Sequence, residues 1–118
     1  MKLISIPPLT SAQLDALLDA IAAACDFLGS GDDPAAVFRF RCLSERLESD
    51  QNGFTSGEID NMCYALDIRI SQLQHYVNAP LFSSQDHAAA SAALQISQSV
   101  RALLLPLVPG HQHIHIPE

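Results

Sequence analysis

Three histidines alternate with other residues near the end of the chain, His111-Gln-His113-Ile-His115, and their spacing is the most direct suggestion of chemistry. On an extended segment, side chains two residues apart share a face at roughly 6–7 Å. Neighbouring imidazoles in that geometry suit Zn²⁺ or Ni²⁺, with a third ligand drawn from Glu118, His87 or another chain. Such a site would depend on pH, because the neutral ring is the ligand. The same alternation describes an edge strand with a histidine polar face and Ile114 and Ile116 turned inward. That plainer reading is preferred, with metal binding by His111, His113 and His115 as the alternative function. No cofactor is expected.

The segment from Glu48 to Ile59 has a partial calcium-loop pattern. With Gly53 at the sixth position, the first, third and fifth positions are Glu48, Asp50 and Asn52. The twelfth is then Ile59 where a bidentate glutamate is required, and Glu58 stands one residue early. Calcium is therefore not expected. The three cysteines, Cys25, Cys42 and Cys63, form no C-x-x-C pair, which suits a reducing compartment. Cys25 and Cys63 fall on apolar helix stripes, where free cysteine acts as a small hydrophobe. There is no G-x-S-x-G, no H-E-x-x-H and no P-loop, so the chain is read as a non-enzyme.

The elements that would carry these residues are helical. Phe54, Thr55, Glu58 and Ile59 combine a capping box with a hydrophobic staple. Apolar residues then recur at three- and four-residue steps from Ile59 to Val77, the period of one helix face. Leu9, Thr10, Gln13 and Leu14 repeat the same start signal, and the helix they open ends at Gly29. Asp33-Pro34 caps another helix with proline at its first position. Asn78-Ala-Pro80 breaks the chain before a fourth. The expected helices span approximately 10–28, 34–49, 55–78 and 84–105, with tails 1–9 and 106–118. Short loops imply one all-α domain, an antiparallel four-helix bundle. Lys2 to Ile6 and His111 to Ile116 alternate like short β-strands, which would pair with each other or across a dimer.

Composition narrows the partners. Of the 118 residues, 48% are apolar and 16% charged, and the net charge is −7 with only six basic residues. Polyanions bind by releasing counterions to Lys and Arg, so nucleic acid is not expected. No apolar run reaches the ~18–20 residues that span a bilayer. The first ten residues are too short in apolar content, and too interrupted by proline, for a signal peptide. The expectation is a cytoplasmic, acidic protein away from membranes.

The functional expectation comes from the far sides of the helices. On the first helix, Asp15, Asp19 and Asp26 make a thin acidic strip. Beyond it lie Ala12, Ala16, Ala20, Ala23 and Phe27, where an ordinary surface helix would be charged. The second helix turns Ala35, Phe38 and Cys42 away from its core face, edged by Arg39 and Arg46. The third does the same with Tyr64, Ile68 and His75. Contiguous apolar faces mark partner sites. The expected interface is therefore Ala12, Ala16, Ala20, Ala23, Phe27, Phe38 and Cys42, and the expected partners are a second copy and another protein. The Asp strip and the Arg pair would set register across the seam. Regulatory inhibitors, toxin-neutralising proteins and secretion chaperones share this physical description.

Overall fold

Two capping boxes and one capped proline start the first three helices as their sequences require. The computed structural model describes residues 3–29, 33–49, 53–79 and 84–108. In chain order the elements are β1 (Ile4–Ser5), α1 (Ser11–Gly29), α2 (Pro34–Glu48), β2 (Gly53–Phe54), α3 (Ser56–Asn78) and α4 (Ser84–Leu104), followed by a 3-10 turn at Leu105–Leu107. The fold is an all-α helical bundle with one short antiparallel sheet.

At the start of α1 the Thr10 N–H donates to Gln13 Oε1 (3.0 Å) and the Gln13 N–H donates to Thr10 Oγ1 (3.1 Å). These satisfy two of the donors that a helix start leaves open. Asp33 accepts from the Ala36 N–H (3.2 Å) ahead of α2. At α3 the Glu58 N–H donates to Thr55 Oγ1 (3.1 Å), and the Thr55 N–H donates to Glu58 Oε1 (2.8 Å). The staple residues Phe54 and Ile59 beside that box are fully buried.

Helix α1 is the centre of the molecule, packing against α2, α3 and α4. Helices α1, α3 and α4 touch one another pairwise, and α2 is laid chiefly against α1. Gln13 of α1 donates to Ser99 of α4 (3.4 Å), so the start of α1 lies beside the end of α4. The Cys25 thiol of α1 donates to the Val37 carbonyl of α2 (3.9 Å), which sets the antiparallel α1–α2 register. The core joins Leu17, Ile21, Phe40, Leu43, Met62, Leu66, Val100 and Leu104 with Ile6, just after β1, and Phe54 of β2. Arg101 of α4 pairs with Asp67 of α3 at the surface.

The small sheet departs from the sequence expectation. The N-terminal segment is a strand, but it pairs with β2, matching Ile4 to Phe54 and Ser5 to Gly53. The strand proposed at His111 to Ile116 lies outside the described residues. The physical reason for the observed pairing is local. β1 enters α1 and β2 enters α3, so two helices that begin at the same end of the bundle bring their lead-in segments together.

Arg46 locks that end. Its Nη1 pairs with Glu58 Oε2, its Nη2 donates to the Gly53 carbonyl (2.9 Å), and its guanidinium sits 4.8 Å from the centre of the Phe54 ring. One side chain near the end of α2 thus fixes β2, the cap of α3 and a buried aromatic ring. A planar, five-donor head is suited to such a junction.

Candidate functional site

The alanines of α1 are the first residues to place. Ala20 is 0% exposed and Ala24 is equally buried, both inside the core of a single chain. Ala16 and Ala23 are half-buried, Ala12 is exposed, and Phe27 is 58% exposed at the helix end. The expectation that this flank awaits a second chain is thereby corrected at Ala20, which the packing of the single chain already encloses. Ala12 and Ala16 instead line a groove of about 250 Å³ with Asp15, Asp19, Arg69 and, from α4, Ala93, Ile96 and Ser97. At 100° per residue the buried and half-buried positions of α1, from Ala23 round to Leu18, span roughly 220°. Small residues on both helices allow a close approach, and what looked like two apolar faces is one wide face shared by three neighbours.

The outer-face residues of α3 divide similarly. Tyr64 stacks on Phe40 of α2, with ring centroids 6.3 Å apart and 29° between planes. Ile68 packs against the core. His75 is exposed and tilts against Tyr76 at 6.3 Å. Helix α2 meets the outer face of α3 at the Phe40–Tyr64 stack, and Tyr64 stays 43% exposed beside it.

Nothing comparable covers the far side of α2. Its core residues are Ala36, Phe40, Leu43 and Leu47. On the opposite side Ala35 is exposed, Phe38 is 67% exposed and Cys42 is half-buried. Arg39, Arg41, Glu45 and Glu48 surround them and are exposed. Of the two arginines expected at its edge, Arg46 is engaged with Glu58. Arg39 and Arg41 enter no ion pair among the described residues. The neighbouring outer strip of α1 carries exposed Asp15, Asp19, Ala22 and Asp26, and α1 contains no basic residue.

The residues that suggested chemistry fare as follows. Glu58, the one near-miss calcium ligand, has both carboxylate oxygens occupied, one by the Thr55 N–H and one by Arg46. His87 Nε2–H donates to the Ala79 carbonyl (2.8 Å), tying the start of α4 to the end of α3. His111, His113, His115 and Glu118 lie outside the described residues. Among the described residues no group of three His, Cys, Asp or Glu side chains is placed to hold a metal ion. Burial raises the thiol pKa of Cys63 to about 11, and burial likewise raises that of Cys25. Both remain protonated at neutral pH and are poor nucleophiles.

Sequence reasoning missed two contributors. Arg46 was read as the edge of an interface, although it is committed to the β2–α3 junction, and Arg41 was not singled out. Neither carries a signal in its own neighbourhood, since both roles depend on which helices become neighbours. No helix among the described residues is long and apolar enough to cross a membrane. The fold is an all-α bundle that leaves Phe38 exposed on the outer side of α2. No family model, no curated protein and no solved structure matches the chain.

Proposed function

We propose that the chain is a small helical protein-interaction module of the cytoplasm. It self-associates as a homodimer and acts on another protein in a regulatory, inhibitory or chaperone-like way, by binding and without catalysis. The observation that carries this reading is the outer side of α2, where Phe38 is 67% exposed between Ala35 and Cys42. Ala20 and Ile68, on the backs of α1 and α3, are taken up by the chain's own core, and among the large apolar side chains of the described residues Phe38 is the most exposed. A large aromatic ring held rigidly on a helix, ringed by charge, has the make-up of an interface anchor. The net charge of −7 weighs against a polyanionic partner.

The test is recovery of partners from the native host on immobilised full-length chain, with the Phe38→Ser form run beside it. The reading expects the wild-type chain to retain a protein that the variant loses while keeping its helical signal. Identical recovery on both would overturn α2 as the binding face.

A further inference from the structure

The groove beside α1 gathers charges of both signs without pairing them. Asp15 and Asp19 stand one turn apart on α1, and Arg69 of α3 lines the same groove. Among the described residues neither aspartate enters an ion pair or a side-chain hydrogen bond. Half-buried Arg69 donates only to Gln72 of its own helix, at 3.5 Å. Opposite charges in so small a space attract, and their separation here leaves room between them for a molecule that carries both signs.

Ser97 of α4 is an independent sign of a ligand. It is 2% exposed, yet its hydroxyl has no hydrogen-bond partner among the described residues. Ser99, two residues on, donates to the Ile96 carbonyl (2.7 Å). No fully enclosed side-chain oxygen lacks a partner among the described residues. The Ser97 oxygen therefore keeps a little open surface, on the groove that it lines. An unmet polar group at such depth is costly, and a hydroxyl can donate to a carboxylate or accept from an ammonium.

We propose that this groove binds a free basic amino acid, its carboxylate on Arg69 and Ser97 and its ammonium groups on Asp15 and Asp19. Two carboxylates against one guanidinium leave one negative charge in surplus, which a ligand with two ammonium groups and one carboxylate matches. The cavity of about 250 Å³ is smaller than the roughly 300–1,000 Å³ that takes drug-sized ligands, so the occupant is small. Ala12, Ala16, Ala93 and Ile96 form the rest of the lining, an apolar surface on which an aliphatic stem packs while its charged ends stay outside. Arginine is suited to a carboxylate because its planar fork can donate twice. This site is separate from the α2 face and from self-association.

The experiment is a titration of the full chain with L-lysine, followed by backbone amide NMR shifts. Cadaverine, which lacks the carboxylate, and hexanoate, which lacks the ammonium groups, are run beside it. The expected result is saturable shifts at residues 12–19, 69 and 93–97, with both comparison compounds bound about tenfold or more weakly. Arg69→Gln, and Asp15→Asn with Asp19→Asn, should each weaken L-lysine by about tenfold or more, with circular dichroism melts confirming that both fold. Ser97→Ala should also weaken L-lysine while leaving the melting point equal or higher, because it removes an unmet hydroxyl without enlarging the side chain. No saturable shift at millimolar L-lysine, shifts centred elsewhere, or affinity unchanged in the variants would overturn the site. Cadaverine bound as tightly as L-lysine would overturn the role given to Arg69 and with it the amino-acid assignment. Partner capture is judged separately, by the Phe38→Ser comparison.

Discussion

Replacing Ala20 by glutamate separates two accounts of the alanine-rich flank of α1. If that flank were a subunit seam, Ala20→Glu would divide a dimer and leave each protomer folded. Ala20 is 0% exposed inside one chain, so the substitution should instead damage the fold. Overpacking a filled core costs about 1–3 kcal/mol. An uncompensated buried carboxylate adds roughly 3 kcal/mol or more, some of it relieved by protonation. The total, about 4–6 kcal/mol, is a large fraction of the roughly 5–15 kcal/mol that holds a domain together. Urea and thermal melts should therefore show a midpoint lowered by something on the order of 15 °C or more, or no cooperative transition. Ala12→Glu, at an exposed position on the same helix, should change the midpoint by a degree or two at most. A folded Ala20→Glu chain with an unchanged melting point would refute the burial of Ala20 inside the single chain.

Other substitutions test the junction and the thiols. Phe54→Ala removes a fully buried ring that also carries Arg46, and should cost about 3–5 kcal/mol by denaturant titration. Thr55→Ala should cost about 1 kcal/mol through loss of the α3 cap. Glu58→Ala should cost somewhat more, because it removes the return half of the box and the part-exposed Arg46 partner together. A native-state thiol reagent at neutral pH should modify Cys42 well before Cys63, read by peptide mass. The raised Cys63 pKa also has a thermodynamic sign. Between about 9 and 11 the unfolded thiol has lost its proton and the folded one has kept it, so the unfolded state binds fewer protons. Stability then falls as pH rises through that window and is unaffected below it. A Cys63→Ala chain should lose this alkaline slope.

Helix positions were legible because their signals are local. Thr10 with Gln13, and Thr55 with Glu58, form the hydrogen bonds that their spacing requires. Pro34 opens α2 as expected, and the four helices end within a residue or so of the sequence estimate. The faces were legible only in part. Periodicity shows how wide an apolar arc is but not how many neighbours divide it, so Ala20 was assigned to a partner although the chain's own core encloses it. The reverse holds for Phe38. It lies opposite Phe40 on a helix that packs chiefly on one neighbour, and its exposure follows from the pattern alone. The pairing of β1 with β2 was not legible, because a two-residue ladder follows from where two helices begin rather than from its own residues. Arg46 was misplaced for the same reason, since its three contacts come from a segment of chain beyond its own helix.

The account as a whole turns on which side of this molecule is open for binding. Backbone amide NMR shifts of the full chain, followed from low to high protein concentration, test that directly. The account predicts shifts concentrated on α2 around Phe38 to Cys42, with the buried Ala20 and Ala24 unmoved. Shifts centred on the α1–α4 flank, or a spectrum independent of concentration, would contradict it.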